Sequence, residues 1–285
     1  MTTGKDENVF NIAVKGNFDD CQNLVKSMFS DKEFSNQINM SGVNSINWAR
    51  IIAQSVYYFY CYFLAEDDNQ PINFSVPTGN FGDVYAGYLA KKLGLPINKL
   101  IVATNQNDIL HRAISKGKYE AEHVSETISP SMDIQIASNF ERLIYDLNNH
   151  DSSQTLDDMK NIKQNGKYTI DVEKLKKINQ DFLSARISEQ ETLDVIKNIY
   201  EKFNMVLDPH TAIGYGAFDK HDLKGNNIVL ATAHPCKFPD AILKAINLKS
   251  DLPDELKFIL DEKENYGIIE NNLKEIKQYI LGKIK

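Results

Sequence analysis

Residues 71–90 read PINFSVPTGNFGDVYAGYLA, and this stretch decides how the chain folds. Its first part is an apolar run of β character that includes Ile72, Phe74 and Val76. The glycine-containing residues Pro77–Asp83 come next, and a helical pattern of apolar residues follows them. The order predicts a strand, a tight turn and the start of a helix, which is the basic unit of an α/β protein.

Such a turn suits an anion, because the free N–H groups and the positive dipole end of the helix point at one place. Glycines let the backbone approach an anion without a Cβ in the way. The residues match neither the dinucleotide pattern G-x-G-x-x-G nor the nucleotide triphosphate pattern G-x-x-x-x-G-K-[ST]. Two interpretations stay open for Gly79–Asp83, a phosphate-binding loop and an ordinary strand-to-helix turn.

Further strands and helices alternate along the chain. Strands are expected at Val9–Val14, Ile72–Val76, Lys99–Thr104 and Ile228–Thr232, and helices at Phe18–Phe29, Ser45–Leu64 and Val84–Leu93. This alternation predicts an open, mostly parallel sheet covered by helices. Residues 146–190 are polar and are expected to form surface helices and loops, and residues 239–285 to form amphipathic helices.

Composition narrows the class of function. The net charge of −7 over 285 residues argues against a nucleic-acid or anionic-membrane surface. Ile51–Leu64 is too short for a membrane span and contains Gln54. Three widely spaced cysteines indicate neither a metal site nor a disulfide framework, so a reduced, cytoplasmic location is expected.

Two other segments carry polar groups where a ligand could bind. Ser45 can cap the predicted helix, and Asn47 and Arg50 share a face one turn into it, which would suit a carboxylate or phosphate. The alternative is simple capping with a surface Arg50. Thr232 ends the last predicted strand, where open parallel sheets bind ligands. His210 and His234 could be acids or bases, but single histidines are more often structural.

Taken in order, these segments resemble the threonine synthases of bacteria and fungi. The segments that carry the resemblance are GNFDDCQNLVK at 16–26, NSINWARIIAQSVYYF at 44–59, VPTGNFGDVYAGYLAKKLGLP at 76–96, ATNQND at 103–108, SPSMDI at 129–134, DPHTAIGY at 208–215 and ATAHPCKF at 231–238. Seven motifs in one order are more specific than any single motif. The resemblance implies a fold-type-II pyridoxal-phosphate enzyme, similar to the tryptophan synthase β subunit.

The resemblance also implies roles for individual residues. The expected ligands of the cofactor, pyridoxal 5'-phosphate, are Gly79, Asn80, Phe81, Gly82 and Asp83 at its phosphate and Thr232 at its pyridine nitrogen. The expected substrate-binding residues are Asn44, Ser45, Asn47 and Arg50. The implied reaction converts O-phospho-L-homoserine and water to L-threonine and phosphate, the last step of threonine biosynthesis. The expected partners are the small-molecule substrate O-phosphohomoserine and a missing amino-terminal half, with no nucleic acid and no membrane.

One departure is serious. The family holds its cofactor through a lysine in an aromatic-Lys-Asp-Phe motif, and no Phe-Lys-Asp-Phe occurs in these 285 residues. We therefore expect the carboxyl-terminal portion of such an enzyme, inactive by itself, with an amino-terminal half missing. A non-catalytic remnant or cofactor-binding module remains an alternative, and a related dehydratase is disfavoured by NSINWAR and DPHTAIGY.

Three regions are expected within this portion. Residues 1–70 would form part of the α/β region and carry the substrate-binding helix. Residues 71–238 would form the cofactor-binding α/β domain, with a helical insertion at about 109–207. Residues 239–285 would form a carboxyl-terminal helical tail.

Overall fold

The computed structural model describes residues 2–4, 6–16, 18–65 and 70–284. Its strands are β1 Ile12–Lys15, β2 Ile72–Pro77, β3 Ile97–Thr104, β4 Lys118–Glu120, β5 Lys167–Thr169, β6 Phe182–Arg186, β7 Asn226–Val229 and β8 Gly267–Glu270. Its α-helices are α1 Phe18–Ser30, α2 Lys32–Gln37, α3 Trp48–Leu64, α4 Gly82–Lys92, α5 Ile109–Lys116, α6 Phe140–Leu147, α7 Ser152–Asn165, α8 Val172–Asp181, α9 Glu189–Phe203, α10 Pro209–Asp219, α11 Pro239–Ile246 and α12 Leu273–Lys283. The chain divides into two compact units, Val43–Asp251 and a smaller one made of Met1–Gly42 with Leu252–Lys285.

The larger unit is built on a four-stranded sheet in the order β6-β3-β2-β7. Each neighbouring pair in this sheet is parallel. Parallel neighbours need crossover connections, and the helices between the strands provide them. The expected open parallel sheet with a helical cover is confirmed.

The two faces of the sheet pack against different helices. Along β3, Leu100 and Val102 belong to the large core cluster that includes residues of α3 and α4. The intervening Ile101 and Ala103 belong to a second cluster with α10. Since successive side chains of a strand point to opposite faces, helices cover both sides of the sheet.

Two predicted elements begin or end at other residues than expected. The helix predicted from Ser45 begins at Trp48. The strand predicted at Ile228–Thr232 lies at Asn226–Val229, and it forms an edge of the sheet rather than a buried centre. A last ladder bond joins the N–H of Leu230 to the carbonyl of Ser75 at 3.0 Å, after which the chain leaves the sheet.

The predicted helical insertion at 109–207 contains a strand of the main sheet. Within it, β6 pairs with β3, and β4 and β5 form a small antiparallel ribbon. The sequence pattern did not predict β6, because it lies in a polar segment and forms only through long-range pairing with β3. A strand also interrupts the predicted helical tail, since β8 lies within residues 239–285.

The smaller unit joins the two ends of the described chain. β1 and β8 pair in parallel, with Ile12 opposite Gly267. Its core contains Leu24 and Met28 of α1, Phe34 of α2 and Ile276 of α12. These units divide the chain at other points than the expected regions 1–70, 71–238 and 239–285, because residues more than 250 positions apart pair here.

No helix among the described ranges combines the length and apolar character needed to cross a membrane. The three cysteines, Cys21, Cys61 and Cys236, carry free thiols.

Candidate active site

The turn after β2 is fixed by bonds to the neighbouring strand. The N–H of Thr78 donates to the carbonyl of Ala103 at 2.8 Å, and its hydroxyl donates to the carbonyl of Val76 at 2.6 Å. Phe81 follows with a φ of +63°, which is uncommon for a residue with a side chain. Its ring is fully buried and contacts Phe140 edge to face at 5.2 Å. Packing of this ring therefore holds the loop in a backbone conformation that it would not otherwise favour.

Two glycines of this loop lie close to other segments of the same unit. A Cβ on Gly79 would lie 2.5 Å from the carbonyl oxygen of Ser131, and one on Gly82 would lie 3.3 Å from Nδ2 of Asn139. The sequence suggested that these glycines clear space for an anion. The structure gives both a packing reason, because each lets the loop approach another segment of the same unit.

The start of α4 leaves donors open. Phe81 occupies the N-cap position and makes no side-chain cap bond. Among the described residues, no acceptor is paired with the N–H of Gly82 or of Asp83. These donors lie at the positive end of the helix dipole, so the loop fits an anionic group such as a phosphate.

Asp83 is a buried acid at the same helix start. The hydroxyl of Tyr58 donates to its carbonyl oxygen at 2.8 Å and lies 3.3 Å from its carboxylate. Burial raises the pKa of Asp83 to about 6, although Tyr58 and the positive charge of Arg50 oppose the shift. Burial likewise raises the pKa of the Tyr58 hydroxyl well above its ordinary value. Asp83 therefore exchanges its proton near neutral pH, while Tyr58 keeps its own.

A second set of polar groups comes from the start of α10. Asp208 caps this helix by accepting from the N–H of His210 at 2.9 Å, and it also faces Nδ1 of His210 at 3.1 Å. The N–H of Ser131 donates to Nε2 of the same ring at 3.3 Å, so Nδ1 carries the proton. Burial acts to raise the pKa of Asp208, but bonds from His210 and Thr211 hold it below its ordinary value. His210 thus donates from Nδ1 to the Asp208 carboxylate.

Thr232 lies on the same rim as the loop after β2. It stands three residues beyond β7, and its N–H donates to the hydroxyl of Thr211 at 3.3 Å. The side chain of Thr232 is exposed. The carboxyl ends of the parallel strands β2 and β7 bring the two segments together. Its predicted part in cofactor binding remains a proposal.

Helix α3 lines the facing side. Arg50, Gln54, Tyr57 and Cys61 recur at intervals of four, three and four residues, which places them on one face. All four border the same cavity. Gln54 interrupts an otherwise apolar run, and this was the available sequence signal for the face.

The predicted substrate segment has a different capping pattern. Asn47, rather than Ser45, caps α3, because its side chain accepts from the N–H of Ala49 at 2.8 Å. Local helix geometry decides this, since the helix starts three residues later than predicted. The side chain of Asn44 accepts from the N–H of Ile46 at 3.3 Å. Ser45 and Arg50 border the cavity, whereas Asn44 and Asn47 are not among its lining residues.

These elements enclose one cavity of about 770 Å³. Its lining includes every predicted residue of the loop, with Thr232, Ser45 and Arg50, and sequence reasoning did not assign Gln54, Tyr57, Tyr60, Ser131, Met132, His210, Lys237 and Phe238 to it. The cavity combines open backbone donors with two cationic side chains, Arg50 and Lys237. It can therefore hold a ligand with at least one anionic group.

Comparison with known proteins finds that the chain is similar to enzymes of one kind. The family model described as "Threonine synthase, C-terminal" matches residues 211–280. The threonine synthase of Saccharomyces cerevisiae is 45% identical over 298 residues, an alignment that covers 95% of this chain and 58% of the yeast protein. That of Pseudomonas aeruginosa is 41% identical, with coverage of 98% and 60%.

The solved structures agree with the sequences. The pyridoxal-phosphate-bound threonine synthase of Brucella melitensis superposes with a TM-score of 0.93 at 45% identity. This match covers 99% of the present chain and 61% of the Brucella chain. The chain therefore spans about three fifths of the length of the relatives that it matches.

Proposed function

Because the chain belongs to the threonine synthase family, we propose that it forms the cofactor-phosphate and substrate-anion sides of a threonine synthase site. The reaction would convert O-phospho-L-homoserine and water to L-threonine and phosphate. The observation that carries this proposal is the cavity that unites the loop Gly79–Asp83 with Arg50 and Thr232. The whole chain has a net charge of −7. The two positive side chains in this cavity, Arg50 and Lys237, are therefore a stronger indication of an anionic ligand.

Pyridoxal 5'-phosphate is the proposed cofactor, and it supplies an electron sink when bound. The unpaired N–H groups of Gly82 and Asp83 would hold its phosphate. Thr232 would offer a neutral hydroxyl to its pyridine nitrogen. A hydroxyl leaves that nitrogen unprotonated, whereas a carboxylate would hold a proton on it.

Substrate binding is proposed for the opposite side of the cavity. Arg50 presents a planar guanidinium with several donors, which matches a phosphate or carboxylate. Ser45 borders the same space, and Asn44 and Asn47 support it by fixing the turn before α3. On the side of the loop, His210 would orient the backbone beside Gly79 through Ser131.

The lysine base is proposed to lie in an amino-terminal segment outside these 285 residues, within the same protein or in a separate chain. No Phe-Lys-Asp-Phe motif occurs in the present sequence. Lys237 borders the cavity and is the candidate within this chain. A cytoplasmic location remains part of the proposal, and the free thiols of all three cysteines support it.

A direct test measures phosphate release from O-phosphohomoserine in the presence of pyridoxal phosphate. The chain is assayed by itself and as a longer protein with an aromatic-Lys-Asp-Phe segment before residue 1. We expect both forms to bind the cofactor and only the longer form to release phosphate and threonine in equal amounts. Turnover by the shorter form, lost in Lys237→Ala, would assign the base to Lys237 instead.

Two outcomes would contradict the proposal. Cofactor binding without phosphate release in the longer protein would favour the alternative of a non-catalytic binding module. Release of ammonia from serine or threonine, with no reaction of O-phosphohomoserine, would favour a dehydratase.

A further inference from the structure

Asn139 stands at the N-cap position of α6 but does not cap it. An asparagine at this position ordinarily accepts a bond from the first turn of its own helix. Here the fully buried side chain donates through Nδ2 to the carbonyl of Ser45 at 2.8 Å and to the carbonyl of Asn80 at 3.1 Å. One amide thus joins the segment before α3 to the loop after β2.

Arg142 extends the same connection. Its Nε donates to Oδ1 of Asn139 at 3.0 Å, and its Nη2 donates to the carbonyl of Ile46 at 3.0 Å. Its guanidinium carbon lies 5.0 Å from the ring centroid of Trp48. Asn139 and Arg142 therefore hold the turn at residues 45–48 through two carbonyl groups and through the ring of Trp48.

The loop after β2 is held equally firmly. Its Asn80 carbonyl accepts a second bond, from the N–H of Asn139 at 3.1 Å, and its Asn80 side-chain oxygen accepts from the hydroxyl of Ser138 at 3.2 Å. A Cβ on Gly82 would lie 3.3 Å from Nδ2 of Asn139. Because Gly82 has no side chain, the amide of Asn139 fits against the loop at this position.

We propose that Asn139 is a positioning residue that couples the cofactor-phosphate loop to the substrate-side turn at residues 45–48. This rests on the proposed function for the roles of the two segments. A phosphate bound in the loop restricts the motion of Asn80. Asn139 passes this restriction to Ser45, and Arg142 passes it to Trp48. The helix gives up its own side-chain cap, and the amide serves this tertiary connection instead.

Trp48 is the only tryptophan in the chain, so its fluorescence reports on the turn alone. The test titrates the full chain with inorganic phosphate, measures binding by calorimetry, and measures acrylamide quenching of Trp48 at each point. The variants are Asn139→Leu, which keeps the size and removes the amide, and Arg142→Lys, which keeps the charge and removes the planar fork. Asn73→Leu is the matched control, because Asn73 is also fully buried and donates to the carbonyl of Lys224 at 3.0 Å, near the amino end of β2.

In the unsubstituted chain and in Asn73→Leu, saturating phosphate should reduce the quenching of Trp48. In Asn139→Leu and Arg142→Lys, phosphate should still bind and the quenching should no longer respond. In the longer catalytic form, Asn139→Leu should raise KM for O-phosphohomoserine roughly tenfold, the loss expected for buried hydrogen bonds, with a smaller change in kcat.

An unchanged Trp48 response in a folded Asn139→Leu would overturn the inference. If that variant does not fold, Arg142→Lys decides by the same response. Absence of any Trp48 response in the unsubstituted chain with phosphate bound would also overturn it. A normal response in this chain, together with no turnover of O-phosphohomoserine by the longer catalytic form, would refute the proposed function and leave the coupling in place.

Discussion

The two walls of the cavity differ in how firmly the fold holds them. The inner wall, residues 77–83 with Ser131 and His210, is buried or half-buried at every position except Ser131: Phe81 is 0% exposed and His210 is 4% exposed. The outer wall, made of Arg50, Tyr57, Tyr60, Thr232 and Lys237, is exposed, and Tyr60 keeps 65% of its surface. Backbone and side-chain bonds tie the inner wall together, whereas long side chains form much of the outer one.

Because of this difference, substitutions in the two walls should have different effects. The inner wall acquires its order when the chain folds, so a ligand meets donors that are already aimed. The outer wall loses side-chain freedom only on binding. Changes in the inner wall should therefore alter the free energy of unfolding, and changes in the outer wall should alter ligand affinity alone.

The strongest test of the inner wall is Gly79→Ala. The new Cβ would lie 2.5 Å from the backbone oxygen of Ser131, which cannot move without disturbing His210. We expect a loss of roughly 3 kcal/mol in the free energy of unfolding, measured by urea denaturation. Gly282→Ala is the control, because no atom lies within 4 Å of its Cβ position and alanine favours a helix. Equal stability of the two variants would remove the distinction between the walls.

Asp83→Asn tests the same wall through pH. The folded-state pKa of Asp83 is raised from 3.8 to about 6, so its ionisation destabilises the fold progressively from about pH 4 and fully above pH 6. The amide removes that penalty. The variant should gain about 3 kcal/mol over the unsubstituted chain at pH 8, and the gain should vanish at pH 4. A gain of constant size in denaturation curves across this range would contradict the cause given for the shift.

Arg50→Lys tests the outer wall. The variant keeps the positive charge but loses the planar fork, so KM for O-phosphohomoserine in the longer catalytic form should rise roughly tenfold. Calorimetric titration should show unchanged affinity for pyridoxal phosphate, and the urea midpoint should not move. A fall in stability as large as that of Gly79→Ala would show that the outer wall is also part of the folded framework.

Thr232→Val should have the smallest effect. Only the backbone N–H of Thr232 bonds to Thr211, so an isosteric side chain leaves that contact intact. Removing the hydroxyl should weaken pyridoxal-phosphate binding roughly fivefold, as one lost hydrogen bond would. The measurement is the same calorimetric titration, with Thr232→Ser expected to restore affinity. Unaltered affinity in Thr232→Val would exclude the hydroxyl as a cofactor contact.

Sequence patterns predicted most of the local structure around the site. The strand-turn-helix at residues 72–92 follows from an apolar run of β character and two glycines. Ser45 was wrongly predicted as the cap of α3. Ser45 and Asn47 are both good capping residues, and only the helix start distinguishes them. Asn139 could not be recognised, because its sequence neighbourhood resembles an ordinary N-cap.

The sequence by itself determined the α/β class, the strand-turn-helix unit at residues 72–92 and the family resemblance, because those depend on neighbouring residues and on ordered motifs. The tertiary structure alone decided which distant segments meet: β6 beside β3, β1 beside β8, and Asn139 between Ser45 and Asn80. Parallel strand pairing and hydrogen bonds from buried side-chain amides join residues that lie tens to hundreds of positions apart in the sequence. Their geometry depends on how the helices pack, and no local pattern records it.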